Sequence, residues 1–157
     1  MFLNQMTASD KVFLRKVINK VNFYRYKKMN TLVINEGELR YELRDKHSNI
    51  LNLVKNLSKK ISVKNIVVTR GIRGATLVNC KDNSIISCPA FNQNNIDTMG
   101  AGDTFFGMCS LSIGSKIDNK IGVLMASLSA SFAIGQLGKK SFFNNNMLKK
   151  HLTHIFK

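Results

Sequence analysis

The sequence predicts a layered α/β fold, in which a mainly parallel sheet is flanked by helices. Short β-branched runs alternate with helical apolar patterns, as in strands that are joined by crossover helices. The 157 residues are 44% apolar and 21% charged, which is the composition of a folded chain rather than of a disordered one. A chain of this length buries roughly 68–70% of the surface of its unfolded form. We therefore expect a single domain over residues 1–157.

The first part of the chain predicts helices and two strands. Apolar residues recur at helical spacing over 9–23, and this spacing predicts an amphipathic helix. An apolar run at 31–34 predicts a short buried strand, and alternating acidic and basic residues at 36–44 predict a helix. Apolar positions at 50–57 predict a further helix, and the run at 65–69 predicts the second strand.

The second part predicts a hairpin followed by helices. Apolar runs at 75–78 and 84–87 flank the turn-like sequence Lys81-Asp82-Asn83, a pattern that is typical of a β-hairpin. The segment 88–99 contains the only proline of the chain and is predicted to be a loop. Helices are predicted over 105–113, over 121–137 and over 147–155.

Charge and cysteine content narrow the possible functions. The chain has 24 basic and 9 acidic residues, a net charge of +15 with neutral histidines. Most of the basic residues are lysines at element ends, which favours a solvated basic surface over a nucleic-acid interface of clustered arginines and aromatics. The spacing of Cys80, Cys88 and Cys109 suggests no zinc or redox motif, and it fits a reducing compartment. We expect a cytoplasmic protein without a membrane span.

The most informative motif is the run Asp97-Thr98-Met99-Gly100-Ala101-Gly102-Asp103, which leads into an apolar helix. Two glycines around a small residue permit a tight turn and expose backbone N–H groups at a helix start, where an anion is favoured. The carboxylate of Asp103 lies among these groups and could accept a proton from a hydroxyl that attacks a phosphoryl group. The alternative is a glycine-rich turn with an ordinary acidic residue in the first helical turn.

A second motif follows the first predicted strand. Asn35 and Glu38 carry oxygen ligands of the kind that hold Mg²⁺ and its waters beside phosphates. The same spacing is close to that of a capping box at a helix start, which requires no ligand.

A third motif follows the second predicted strand. Glycines at positions 71 and 74 let a ligand approach the backbone after Thr69. The intervening Arg70 or Arg73 could contact phosphates. Without a ligand, the same segment is an ordinary turn.

Taken in this order, the motifs resemble those of the ribokinase-like (PfkB) carbohydrate kinases. Asp-Thr-x-Gly-Ala-Gly-Asp at 97–103 resembles the C-terminal signature of that family. Asn35-x-x-Glu38 resembles its magnesium and phosphate motif, and Thr69-x-Gly71-x-x-Gly74 resembles its nucleotide loop. The segment 126–138 is similar to the family's helix beside the adenine pocket. More distantly, the run Asn-Glu-Gly-Glu-Leu-Arg at 35–40 and the last helices are similar to heptose kinase-type members.

The resemblance implies a ribokinase-like fold and a kinase that uses ATP and Mg²⁺ to phosphorylate a hydroxyl of a sugar or sugar phosphate. The implied catalytic set is Asp103 as the base, with the amides of Gly100, Ala101 and Gly102 as the anion hole. The implied nucleotide-binding set is Thr69, Gly71, Gly74 and Ala126. The implied metal set is Asn35 and Glu38.

The resemblance covers only the second half of such a kinase. Family members carry an N-terminal half ahead of these motifs, with sugar-binding residues, early strands and a lid, and residues 1–30 are too short to replace it. We therefore expect the C-terminal, nucleotide-binding half of a PfkB-type kinase. Its expected partners are a nucleotide, a small carbohydrate, and either the missing half or a second copy of itself. The alternatives are a non-catalytic nucleotide-binding or regulatory module and, less favoured, a basic nucleic-acid-associated protein.

Overall fold

Two pairs of helices cover the two faces of a mixed sheet in the described part of the chain. This computed structural model describes residues 29–91 and 100–134, together with Thr153 and the backbone of 14–16. The strands are β1 (Leu14–Lys16), β2 (Met29–Asn35), β3 (Val63–Thr69), β4 (Ala75–Asn79) and β5 (Ile85–Cys88). The helices are α1 (Glu36–Leu43), α2 (Ile50–Ser58), α3 (Ala101–Gly114) and α4 (Asn119–Ile134), and a single 3₁₀ turn spans Gly71–Arg73.

The five strands of the described ranges lie side by side in chain order. β1, β2 and β3 are parallel, whereas β4 runs antiparallel to both β3 and β5. The predicted hairpin is therefore present as β4 and β5. It accounts for the antiparallel half of the described sheet.

Strand β2 is buried on both faces because it passes between two helical layers. Leu32 and Ile34 belong to one apolar cluster, which contains residues of α1 and α2. Val33 belongs to a second cluster, which contains residues of α3 and α4. The alternation follows from the two-residue period of a strand. In β3, Ile66 and Val68 lie in the first cluster and Val67 lies in the second.

Helices α3 and α4 pack closely through small residues. Ser112 and Gly122 are both buried at this contact. A Cβ atom added at Gly122 would lie 3.1 Å from the Cβ atom of Ser112. Gly122 therefore permits the close approach of α4 to α3. None of the helices in the described ranges is long and apolar enough to cross a membrane.

One predicted element is wrong where the structure describes it. The apolar spacing over 9–23 predicted a helix, yet Leu14–Lys16 forms β1. This strand pairs in parallel with β2, with Leu14 opposite Thr31 and Lys16 opposite Val33. A free hydrogen-bonding edge on β2 outweighs local apolar periodicity, which is a weaker preference than tertiary pairing. The rest of 9–23 lies outside the described residues.

The other predicted elements inside the described ranges are confirmed, with boundaries that differ by a few residues. β2 and β3 each begin two residues before their predicted starts, and α3 begins at Ala101 instead of 105. The predicted loop at 88–99 is described only as far as residue 91, and the predicted helix at 147–155 lies outside the described residues apart from Thr153. Residues 135–137 of the predicted fourth helix also lie outside them.

Candidate functional site

The parallel register of the sheet brings two of the predicted motifs together. Asn35, the last residue of β2, lies opposite Thr69, the last residue of β3. Helix α1 starts directly after Asn35, and the Gly71–Arg73 turn starts two residues after Thr69. Both motifs thus lie at the carboxyl ends of neighbouring strands, which is where open α/β sheets bind their ligands.

A cavity of about 420 Å³ opens at these strand ends. Each of the three sequence motifs contributes to its wall. The predicted residues in the wall are Asn35, Glu38, Thr69, Gly71, Gly74, Ala101 and Gly102. The wall also includes apolar side chains that sequence reasoning missed, namely Ile72, Phe91, Phe105 and Ile134. Three predicted residues, Gly100, Asp103 and Ala126, lie outside this wall.

Asn35 and Glu38 form the capping box that was the alternative to a metal motif. The Oδ1 atom of Asn35 accepts a hydrogen bond from the Gly37 N–H at 2.7 Å. The Asn35 N–H donates in turn to Oε2 of Glu38 at 3.2 Å. Capping therefore accounts for the positions of both side chains.

The same two side chains are also compatible with Mg²⁺. Both are exposed in the cavity wall, and their oxygens are of the hard type that Mg²⁺ and its water ligands prefer. Among the described residues, no group of three or more histidine, cysteine or acidic side chains could hold a metal by itself. The donor set therefore fits an ion that phosphates and waters bind directly, with Asn35 and Glu38 beside it.

Glu36 is a buried carboxylate that contacts three arginines. Its Oε1 atom accepts from Arg40 at 2.9 Å (Nε) and 2.8 Å (Nη2). Its Oε2 atom accepts from Arg70 Nε at 3.2 Å and from Arg73 Nη2 at 2.8 Å. The sequence suggested Arg70 or Arg73 as phosphate ligands, whereas the structure directs both toward Glu36. The pairing was missed because it depends on the parallel register of β2 and β3, which no local pattern reveals.

The segment from Thr69 to Gly74 is a tight turn with its own hydrogen bonds. The Arg70 N–H donates to the Gly74 carbonyl at 2.8 Å, and the Gly74 N–H donates to the Gly71 carbonyl at 2.9 Å. Gly74 has a φ of +79°, and a Cβ atom there would lie 2.0 Å from the carbonyl oxygen of Cys88. Close approach of the chain after β5 therefore requires this glycine. Gly71 has a φ of +57° and no atom within 4 Å of the same position, so it leaves space on the cavity side.

The start of α3 places backbone amides of Ala101 and Gly102 at the cavity wall. Gly100 is the N-cap residue with a φ of +82°, and it has no side chain with which to cap the helix. Its carbonyl accepts from the Thr104 N–H at 2.9 Å and from the Thr104 hydroxyl at 3.0 Å. Asp103 is exposed in the first turn. Ala101 and Gly102 face the cavity, while residues 97–99 of the motif lie outside the described residues.

Ala126 is packed in the core and has no surface in the cavity. Its exposure is 0%, and it lies in the cluster between the sheet and α3 and α4. The cavity-facing stripe of α4 consists of Ser127, Ala130, Ser131 and Ile134. This stripe follows the three- and four-residue spacing of one helix face. Helical periodicity could have identified it in the sequence.

Comparisons with known proteins point to one family. A model of the pfkB family carbohydrate kinases matches residues 8–145 of the chain. Over 139 residues, the chain is 29% identical to the bifunctional protein HldE of Koribacter versatilis (strain Ellin345). That match covers 87% of this chain and 28% of the relative.

Solved structures show the same fold. Ribokinase from Thermotoga maritima matches with a TM-score of 0.67 and 22% identity, over 80% of this chain and 42% of that one. Adenosine kinase from Sinorhizobium meliloti matches with a TM-score of 0.72 and 15% identity, over 88% of this chain and 44% of that one. Arabidopsis thaliana ribokinase, solved with ribose and ATP, matches with a TM-score of 0.62 and 22% identity, over 71% of this chain and 36% of that one. This chain therefore spans less than half the length of each of these relatives.

Proposed function

Because the chain belongs to the PfkB family of carbohydrate kinases, we propose that it is the nucleotide-binding half of an ATP-dependent kinase acting on a hydroxyl of a sugar or sugar phosphate. The observation that carries the proposal is the cavity wall, to which all three sequence motifs contribute. The distant match to HldE fits a heptose kinase-type member. In this proposal the protein acts in the cytoplasm.

In this proposal the nucleotide base occupies the apolar side of the cavity. Ile72, Phe91 and Ile134 supply apolar surface there. The small side chain of Ala130 leaves space beside α4. A flat base fits a slot that is mostly apolar and has few polar groups. Ala126 supports this wall from behind, through its packing in the core.

The phosphates are proposed to extend toward the strand ends and the start of α3. Thr69, Gly71 and Gly74 border them on one side. The amides of Gly100, Ala101 and Gly102 stabilise the moving phosphoryl group on the other side, because a helix start favours an anion.

Asp103 is proposed as the general base. Its carboxylate takes the proton from the acceptor hydroxyl while that oxygen forms a bond to the γ-phosphorus. The bond to the β-phosphate oxygen breaks, and ADP leaves with the electron pair. Phosphoryl transfer depends chiefly on such positioning and charge stabilisation. Mg²⁺ would neutralise phosphate charge in the complex, and Asn35 and Glu38 would hold its water ligands.

The acceptor site is proposed to lie on the other half of the kinase, whether that half belongs to the same longer protein, to a partner or to a second copy of this chain. The basis is length, since the chain covers 42% of the ribokinase from Thermotoga maritima. The same observation supports a second candidate, a non-catalytic nucleotide-binding or regulatory module.

The test of the nucleotide site is calorimetric titration of the 157-residue chain with ATP and with ADP in the presence of Mg²⁺. Wild type is expected to bind both. Gly102→Val is expected to abolish binding, because Gly102 lines the cavity. Gly107→Val is the matched control on the same helix, since a Cβ atom at Gly107 meets nothing within 4 Å. Absence of wild-type binding would contradict the proposed nucleotide site.

The catalytic role needs the complete kinase assembly. Asp103→Asn is expected to abolish phosphoryl transfer there while ATP binding and the fold persist, because only the proton acceptor is lost. Retained turnover in the variant would refute the assignment of the base. Nucleotide binding without any transfer by a complete assembly would favour the regulatory module.

A further inference from the structure

We propose that Glu36 is a positioning residue for the nucleotide site. Its buried carboxylate holds Arg70 and Arg73, and it thereby fixes the Gly71–Arg73 turn against the start of α1 in the geometry that a nucleotide needs. The inference rests on the proposed nucleotide-binding function of the cavity. It assigns a role to a residue at a variable position of the Asn35-x-x-Glu38 motif.

The contacts join two walls of the cavity. Glu36 lies between Asn35 and Glu38, which line the cavity at the start of α1. Its Oε2 atom accepts from Arg73 at 2.8 Å and from Arg70 at 3.2 Å. The two arginines flank Gly71 and Ile72, which line the cavity on the other side. One carboxylate thus spans the two strand ends.

The turn is held at its ends by the pairing of Thr69 with Ala75, and a separate contact ties it to α1. It is a single 3₁₀ turn, and its residues 71–73 are exposed. Gly71 adds backbone freedom at the point nearest to the cavity. The backbone bonds from Gly74 to Gly71 and from Arg73 to Arg70 hold the turn together but do not attach it to α1. Glu36 supplies that attachment, and its own position is fixed by burial and by Arg40 on the same helix.

The net charge of this network allows a positioning role of Glu36 to be distinguished from a purely electrostatic one. One carboxylate faces three guanidinium groups, so the network keeps a surplus of positive charge beside the cavity. Neutralising Glu36 increases this surplus. A pure charge effect would then tighten the binding of an anionic nucleotide, whereas loss of positioning would weaken it. The two explanations therefore predict opposite signs.

The experiment is calorimetric titration of the chain with ATP and ADP in the presence of Mg²⁺. Glu36→Gln is expected to weaken binding roughly 10-fold, because nucleotide binding must then order the turn. Glu36→Asp keeps the charge but shortens the reach, and it is also expected to weaken binding. Glu42→Gln, the same change on the same helix outside the network, should leave the dissociation constant unchanged. Unchanged or tighter binding in Glu36→Gln would overturn the proposal.

Two further measurements separate positioning from general stability. Val54→Ala destabilises the first core cluster without touching the turn, and it should leave the dissociation constant unchanged. Amide hydrogen exchange at residues 70–74 should become faster in Glu36→Gln and remain unchanged in Glu42→Gln, with no nucleotide present. Unchanged exchange in Glu36→Gln would overturn the inference. If wild type fails to bind nucleotide, the proposed function fails, and the exchange measurement still decides whether Glu36 holds the turn.

Discussion

At the scale of single residues, burial and the arginine partners have opposite effects on the pKa of Glu36. Burial by itself would raise the pKa of the Glu36 carboxyl, because it disfavours the charged form. Hydrogen bonds from Arg40 and Arg70, together with the charge of Arg73, outweigh burial and lower the pKa below the ordinary value of 4.5. The ionised form is therefore bound more strongly in the folded chain than in the unfolded one.

This pKa shift predicts a dependence of stability on pH. A carboxyl with a lowered pKa in the folded state stabilises the fold above its unfolded pKa, and the contribution is lost as pH falls through the folded value. We expect the difference in unfolding free energy between wild type and Glu36→Gln to be largest near pH 7 and to shrink below the ordinary pKa of 4.5. Urea unfolding at several pH values measures this difference in free energy, with Glu42→Gln as the control. A difference that stays constant down to pH 3 would contradict the assignment.

At the scale of elements, the α3–α4 pair depends on the absence of a side chain at one point of contact. Gly122 lies against Ser112, which is 2% exposed and therefore buried at the contact. Gly107, on the outer side of α3, has open space around it. Two helical glycines of the same pair thus have different physical roles.

Alanine substitutions should distinguish these two glycines. Gly107→Ala is expected to stabilise the chain by about 0.5–1 kcal/mol, because alanine restricts the unfolded backbone and favours a helix. Gly122→Ala is expected to destabilise it by about 1 kcal/mol or more, because the added methyl overpacks the contact with Ser112. Denaturant unfolding measures both variants. Equal effects of the two substitutions would show that the helices do not meet as closely as described.

At the scale of the whole molecule, the part of the sheet that the structure describes has two outer strands. β1 and β5 are the ends of the strand order in the described sheet. Ile85 on β5 is 50% exposed. An outer strand with exposed apolar side chains is a template for pairing with another chain.

This outer strand predicts self-association that a charge should reduce. We expect Ile85→Lys to lower the fraction of dimers and larger species, because a lysine on an edge strand opposes strand pairing. Sedimentation velocity at several concentrations measures it. Leu111→Lys is the control, since Leu111 is 66% exposed but lies on a helix. If both variants reduce association equally, general surface hydrophobicity is responsible and the edge has no special role.

Local sequence determined much of this protein by itself. The positions of β2 to β5 and of α1 to α4 depend on apolar period and turn residues that lie within a few positions of one another. The capping box of Asn35 and Glu38 has the same origin, as its partners are three residues apart. The motif around Gly100 was recognisable because a tight turn before a helix has a short, specific sequence.

Only the tertiary structure decided which distant residues meet. The register that places Asn35 opposite Thr69 requires the whole parallel crossover between β2 and β3. The same register brings Arg73 to Glu36. The sequence suggested Arg73 as a phosphate ligand, whereas in the structure it is an ion-pair partner of Glu36. Ala126 faces the core because α4 docks one face on the sheet. β1 is a strand because β2 offers a hydrogen-bonding edge. These outcomes depend on contacts far apart in the chain, and local sequence patterns do not encode them.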